Sequence, residues 1–108
     1  MPEERAGETA GMRRLRRRID DLDRRIVELL NERTRLGLEV GSAKAEAGRR
    51  AVRDGDRERE VLLRVAAANE GPLPQAELLA IYRRLIAATR RLQGAARRRG
   101  GSGDKLAE

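Results

Sequence analysis

Five polar side chains stand out because the apolar periodicity around them places them on the inner faces of helices: Arg33, Lys44, Glu58, Thr89 and Gln93. Arg33 and Lys44 are eleven residues apart, so on one helix they share an azimuth and lie about 16 Å apart along its axis. Two long cationic side chains at this spacing can lean together and hold a small anion. Since buried charge is costly unless it is paired, the group indicates a polar binding site.

Arg57 flanks Glu58 and adds a further cation. Each of these residues also has a purely structural explanation. An inward Arg33 can snorkel or join a structural salt bridge, and Lys44 near a helix end is favoured by the helix dipole. Charges in a first turn more often serve as caps or surface groups, and a hydroxyl or amide near a helix C-terminus is ordinary. Only their convergence on one interior favours a functional site.

The residues that the chain lacks restrict its chemistry. There is no Cys and no His, which excludes disulfides, thiolate chemistry, His general bases and Cys/His zinc sites. A carboxylate-only metal site remains open, but no carboxylate cluster has the spacing for one. We therefore expect no metal and no cofactor.

A long first helix must position Arg33 and Lys44. Its apolar residues recur at alternating steps of four and three, which predicts one covered stripe on a helix over about residues 12–48, ending at Gly48. The stripe comprises Leu15, Ile19, Leu22, Ile26, Leu29, Leu36, Val40 and Ala43. From Leu15 to Lys44 this element is about 45 Å long, more than a small domain can cover by itself.

Two further helices complete the prediction of an all-α chain with one long and two shorter helices. Asp54 is the expected N-cap of a helix over residues 55–69. A Pro/Gly break at residues 69–74 precedes a third helix that begins near residue 74 or 75 and ends around residues 91–96. The first helix is expected to be about twice as long as either of the others. Residues 1–11 are predicted to be a disordered leader, residues 12–96 the helical domain, and residues 97–108 a basic, flexible tail, with a connector at 49–53.

The core must be thin, because the chain of 108 residues contains 1% aromatic residues and no Phe or Trp. A small helical bundle is possible, but a helical oligomer that borrows core from a partner is favoured.

The net charge of +7 invites a nucleic-acid interpretation. Much of the excess lies at residues 13–18 and 97–99, however, and buried cations also suit an anionic small molecule. No apolar run is long enough to span a membrane, so a cytoplasmic location is expected.

Five segments resemble the all-helical chorismate mutases: LRRRIDDLD at 15–23, LLNER at 29–33, EVGSAK at 39–44, VRDGDRE at 52–58 and LIAATRRLQ at 85–93. Each segment alone is a weak match, but the five in order and on the expected helices are a strong one. The resemblance implies an intertwined homodimer with two equivalent sites, each built from both chains. It also implies conversion of chorismate to prephenate by a Claisen rearrangement.

The resemblance further implies roles for individual residues. Arg33, together with Arg16 of the partner subunit, would hold the substrate carboxylates. Lys44 would contact the ether oxygen and a carboxylate, and Gln93 would donate to the same ether oxygen. Glu58 would accept from the ring hydroxyl with help from the backbone at Asp54, while Arg57 and Thr89 would complete the carboxylate contacts. Thr89 stands where the family often has Ser, and Gly55 stands where it commonly has an apolar residue.

Such a rearrangement suits this inventory of side chains. A pericyclic reaction needs a dianion held in its reactive conformer and donors where charge grows on the breaking C–O bond.

Three alternatives remain open. One is a mutase or pyruvate-lyase acting on a chorismate relative, such as 4-amino-4-deoxychorismate or isochorismate. The others are a basic helical nucleic-acid-binding protein and a structural coiled-coil dimer. A partner enzyme of aromatic amino acid biosynthesis is also possible.

Overall fold

The fold consists of three α-helices in a computed structural model that describes residues 7–48 and 54–107, from residue 100 onward by the backbone alone. Helix α1 is Ala10–Glu46, α2 is Gly55–Ala68 and α3 is Gln75–Ala107. No strand occurs in these described ranges, and the all-α prediction is confirmed. The predicted connector at 49–53 and the first six residues of the predicted leader lie outside the described residues.

Helix α1 begins two residues earlier than predicted because Thr9 caps it. The Thr9 hydroxyl accepts from the backbone N–H of Met12 at 3.1 Å, and its carbonyl accepts from that of Arg13 at 3.0 Å. The predicted C-terminal glycine is confirmed. Gly48 has φ +79°, and its N–H donates to the carbonyl of Ala45 at 3.0 Å, as expected after a helix end.

Helix α2 begins as predicted. Asp54 has extended backbone angles, and its side chain accepts from the backbone N–H of Arg57 at 3.0 Å. The break after α2 is also confirmed. The Asn69 amide donates to the carbonyl of Leu73 at 3.0 Å and to the Gln75 side chain at 2.8 Å, and the Gln75 amide donates back to the carbonyl of Ala66 at 3.0 Å. These bonds tie the first residue of α3 to the last turn of α2.

The prediction that α3 ends around residues 91–96 is wrong. Helix α1 has 37 residues, α2 has 14 and α3 has 33. The first helix is therefore more than twice as long as α2 but only slightly longer than α3, so the predicted ratio of about two is wrong. Gly94 costs a helix about 1 kcal/mol, but the Ala and Arg residues at 95–99 are strong helix formers and carry α3 past it. The further continuation through Gly100, Gly101 and Gly103 to Ala107 runs against helix propensity. Whether residues 97–108 act as a separate basic tail stays a prediction.

The chain divides into two compact units, Met1–Arg33 and Thr34–Glu108, with the boundary inside α1. Within the second unit, α2 packs on α3. On α2, Val61, Leu62 and Val65 are half-buried, whereas Leu63 on the other side of the helix is 72% exposed. Among the described residues no hydrophobic side chain is fully buried. A search of the same residues finds no helix with the length and apolar character needed to cross a membrane.

Candidate active site

Lys44 lies in the last turn of α1 and faces the cap of α2. Its Nζ is 3.8 Å from Oδ2 of Asp54, and its side chain is only 21% exposed. The other carboxylate oxygen of Asp54 accepts the capping bond from Arg57. The ion pair therefore keeps the half-buried ammonium near the cap of α2. An ammonium carries three N–H donors, so Lys44 can bind ligand oxygen atoms as well as Asp54.

Gln93 is held against α1 by a hydrogen bond to its backbone. The side-chain Nε2 donates to the carbonyl of Gly37 at 2.6 Å. A Cβ at Gly41 would lie 3.1 Å from Cγ of Gln93, so a larger residue there would crowd this side chain. An amide nitrogen carries two N–H groups. The bond to Gly37 thus orients the amide while a second N–H can donate to a ligand.

Thr89 is the most buried polar residue of the described chain, at 7% exposure. Its hydroxyl donates to the carbonyl of Leu85 at 3.0 Å, so in this orientation the proton is not directed at a ligand. Its Cγ2 occupies the space where a Cβ at Gly37 would stand, at a distance of 2.5 Å. The methyl group that distinguishes Thr from Ser is therefore accommodated by a glycine on α1. The predicted contact between Thr89 and a substrate carboxylate stays a prediction.

Glu58 forms an ion pair that the sequence did not suggest. Its Oε2 lies 2.7 Å from Nη1 of Arg90, across the interface between α2 and α3. The two side chains are 22% and 31% exposed. A carboxylate has about four acceptor positions, so the pairing leaves capacity for a ligand hydroxyl.

The guanidinium of Arg57 does not take part in these contacts. It pairs with Glu60 on the same helix, and Arg57 has a side chain that is more than half exposed. In this arrangement it contributes to the candidate site through its backbone N–H, which satisfies Asp54. Its predicted role in carboxylate binding stays a prediction.

The remaining two predicted residues belong to the first unit. Arg33 is half-buried and interacts with another residue of the chain. Nε of Arg16 lies 3.2 Å from Oε1 of Glu8, whose side chain is only 9% exposed. A guanidinium that already pairs with a carboxylate of its own chain has the chemistry expected of a carboxylate-binding residue.

Sequence reasoning missed Gly37, Gly41 and Arg90. The two glycines did carry a signal, because glycine inside a helix costs about 1 kcal/mol relative to alanine and usually has a packing reason. Arg90 carried none, since it is one of many arginines and only the packing of α3 on α2 brings it to Glu58. Within the described ranges, no group of three or more acidic, His or Cys residues could hold a metal ion.

Comparison with known proteins identifies relatives of this chain. The profile of the chorismate mutase type II family matches residues 15–94. The chain is 36% identical over 81 residues to a bifunctional chorismate mutase/prephenate dehydratase of Aquifex aeolicus, covering 71% of this chain and 22% of that protein. A protein of the same description from Neisseria gonorrhoeae is 36% identical over 72 residues, covering 67% and 19%.

Solved structures agree with this match. Form II of chorismate mutase from Thermus thermophilus superposes with a TM-score of 0.72 at 32% identity, covering 77% of this chain and 93% of that one. Form I gives 0.68 at 33% identity, covering 72% and 96%. The fold is thus that of the all-helical mutases. The chain belongs to the chorismate mutase type II family, and it spans about a fifth of the length of the bifunctional relatives.

Proposed function

We propose that this chain catalyses the Claisen rearrangement of chorismate to prephenate. In this isomerisation one C–O ether bond breaks and one C–C bond forms, so no group leaves and no proton acceptor is needed. The enzyme has only to hold the dianion in its reactive conformer and to stabilise negative charge on the ether oxygen. Arg, Lys and Gln side chains suffice for both tasks.

The observation that supports this proposal is that the matched region includes all the proposed site residues. The match covers residues 15–94, and every proposed site residue from Arg16 to Gln93 lies within it. Two of these residues, Lys44 and Gln93, are also held by their own chain in the second unit.

We assign the ether oxygen to Lys44 and Gln93. Lys44 supplies a half-buried positive charge, and Gln93 supplies an amide whose orientation is fixed by the carbonyl of Gly37. Lys44 also binds a substrate carboxylate. Glu58 accepts from the ring hydroxyl, with the backbone at Asp54 nearby in sequence. Donors held before the reaction begins need no reorganisation as charge develops, which supports this assignment.

The substrate carboxylates are assigned to Arg33 and to Arg16 of the partner subunit, with contributions from Arg57 and Thr89. This part of the proposal rests on the resemblance between the sequences. Arginine presents a planar fork of donors that matches a carboxylate, which supports its use here.

We also propose that the active form is an intertwined homodimer. In the described chain, seven residues of the predicted stripe on α1 are between 50% and 57% exposed: Leu15, Ile19, Leu22, Ile26, Leu29, Leu36 and Val40. Covering a half-exposed Leu or Ile stabilises a protein by roughly 1 kcal/mol. A second copy that covers all seven would contribute on the order of 5–10 kcal/mol before the cost of association.

The cellular context is proposed from the relatives. The Aquifex and Neisseria proteins combine a chorismate mutase with a prephenate dehydratase, so we propose that an enzyme acting on prephenate consumes the product. This would place the protein in aromatic amino acid biosynthesis. The cytoplasmic location expected from the sequence stays a prediction.

The direct test is to incubate the purified chain with chorismate and to quantify prephenate chromatographically. Prephenate formation that depends on enzyme concentration supports the proposal. Parallel reactions with isochorismate test the related alternative. Salt-dependent binding to DNA without any mutase activity would instead support the nucleic-acid alternative.

A complementation experiment tests whether each site is shared between subunits. Arg16→Ala and Lys44→Ala should each be inactive alone. After the two proteins are mixed and exchange subunits, half of the dimers are mixed, and one of their two sites has both residues. About a quarter of the wild-type activity should return. If subunit exchange is verified and no activity returns, the shared site is wrong.

A further inference from the structure

The ion pair between Glu58 and Arg90 differs from most other Arg–carboxylate pairs of the described chain. The pairs Arg24–Asp21, Arg57–Glu60 and Arg59–Asp56 each join residues three apart on one helix, with side chains that are at least half exposed. Arg90 and Glu58 are 32 residues apart and join two helices. Both side chains are less than a third exposed. An ion pair shielded in this way keeps more of its electrostatic effect than a surface pair does.

This pair sits at the residue that the proposed function assigns to the ring hydroxyl. Arg90 places a positive charge 2.7 Å from one oxygen of the Glu58 carboxylate. The carboxylate therefore retains acceptor positions for a hydrogen bond, but its charge is compensated by the guanidinium. The pair as a whole presents a nearly neutral acceptor.

A neutral acceptor discriminates between two kinds of ring substituent. A hydroxyl needs only an acceptor, which Glu58 provides. An amine at the same ring position is an ammonium near neutral pH, and it is repelled by Arg90 while it is attracted by Glu58. The uncompensated carboxylate would favour the ammonium, whereas the ion pair removes that preference. The higher cost of taking an ammonium out of water then favours the hydroxyl.

We propose that Arg90 is a specificity-determining residue that, by compensating the charge of Glu58, makes the site select the 4-hydroxyl of chorismate over the 4-ammonium of 4-amino-4-deoxychorismate. This inference rests on the proposed function, because it assumes that Glu58 faces the ring substituent. Arg90 acts through Glu58 and is not itself assigned a contact with the reacting atoms.

The test measures kcat/KM of the wild-type protein and of Arg90→Gln for both substrates near neutral pH. Glutamine keeps a hydrogen-bond donor but removes the charge. The ratio of kcat/KM for the amino substrate to that for chorismate should rise about tenfold. The loss for chorismate should fall mainly on KM, and Arg90→Lys should restore the wild-type ratio. The matched control is Arg91→Gln, the same substitution at the exposed neighbouring residue, which should leave the ratio unchanged.

A second variant keeps the inference testable if Arg90→Gln does not fold. Glu58→Gln leaves the charge of Arg90 uncompensated, so it should shift the substrate ratio in the opposite direction, against the amino substrate. If the ratio of kcat/KM values for the two substrates is the same in wild type, Arg90→Gln and Glu58→Gln, Arg90 does not determine specificity. Conversion of chorismate by the wild type would in that case still support the proposed function. A wild-type protein that converts neither substrate would overturn the proposed function, and this inference with it.

Discussion

The two units of the chain differ in what their side chains contact. In Met1–Arg33, the apolar side chains of the stripe are half exposed, as Leu15 and Leu22 illustrate at 56% and 57%. In Thr34–Glu108, polar side chains from different helices bind one another or the backbone: Lys44 binds Asp54, Glu58 binds Arg90, and Gln93 binds Gly37. The half-exposed stripe continues into the second unit at Leu36 and Val40, at 56% and 52%, but only the second unit has these polar contacts between its helices.

This difference indicates a division of labour within a short chain. Apolar surface on a helix is stabilising only when it is covered, so the proposed homodimer would stabilise the first unit. The polar groups of the second unit have partners within the chain: Lys44 is in an ion pair, and Glu58 and Gln93 form hydrogen bonds. Donors that are oriented before the substrate arrives are the ones that contribute most to catalysis.

The largest effect should come from a charge on the apolar stripe. Leu22→Glu puts a carboxylate where a second chain would have to bury it, so dimer and prephenate formation should both be lost. Light scattering after size-exclusion chromatography measures the assembly. Arg24→Glu, an exposed position on the same helix, is the control and should stay dimeric. A wild-type protein that is monomeric and active would contradict this view of the first unit.

Removal of the ammonium of Lys44 should have the next largest effect. Lys44→Ala should lower kcat about 100- to 1000-fold, the range for loss of one electrostatic donor at a developing oxyanion. The free energy of unfolding should change by less than about 1 kcal/mol, because the pair with Asp54 is partly exposed. Arg33→Ala should also abolish turnover without unfolding the dimer.

The control for Lys44→Ala is Arg59→Ala. It removes a cation whose side chain is 71% exposed and pairs with Asp56 on the same helix, so kinetics should be unchanged. Rates like those of the wild type in Lys44→Ala would reject the site assignment.

A smaller effect, on stability, tests the close approach of α3 to α1. The Cβ of Gly37→Ala would stand 2.5 Å from Cγ2 of Thr89. The overlap should destabilise the protein by roughly 1–3 kcal/mol, partly offset by the better helix propensity of alanine. Thr89→Ser removes that methyl group, so the double variant should recover most of the loss. Urea unfolding at one fixed protein concentration gives the free energy of unfolding of the wild type, of each single variant and of the double variant.

An increase in the free energy of unfolding of Gly37→Ala would contradict this packing. If Gly37→Ala stabilises the protein by about 1 kcal/mol, as at an open helical position, then α3 does not lie directly on Gly37. Gln93→Ala should weaken turnover. Because it also removes the hydrogen bond to the carbonyl of Gly37, its free energy of unfolding is measured in the same way.

The smallest effect should come from the ion pair in the first unit. Glu8 pairs with Arg16 at 3.2 Å, and a substrate carboxylate would compete for the same guanidinium. Glu8→Gln should therefore lower KM about two- to fivefold with kcat unchanged, as expected for a pair worth up to about 1 kcal/mol. Glu70→Gln, at an exposed loop position, should change neither constant. A higher KM in Glu8→Gln would show that Glu8 supports Arg16 rather than competes with substrate.

Much of the fold followed from local signals. The cap at Asp54, the glycine at Gly48 and the break before Gln75 are each determined by a few adjacent residues, and the structure confirms them. The predicted end of α3 was wrong because Gly94 and the glycine-containing stretch at 97–103 were expected to end the helix, whereas α3 continues to Ala107. Periodicity placed Arg33, Lys44, Glu58, Thr89 and Gln93 on inner faces of helices, because it indicates which face a residue occupies. Arg16 was selected only from the resemblance, and the roles of all these residues stay predictions.

The sequence by itself determined that this chain is helical, that its first helix carries an apolar stripe too long to be covered alone, and which polar residues lie on inner faces. These are properties of single helices, set by propensity, capping and spacing. Only the tertiary structure decided that Thr89 fits over Gly37, that Gln93 binds its carbonyl, and that Arg90 pairs with Glu58. Periodicity fixes the direction in which a side chain points but not the distance between helices, and these three contacts depend on that distance.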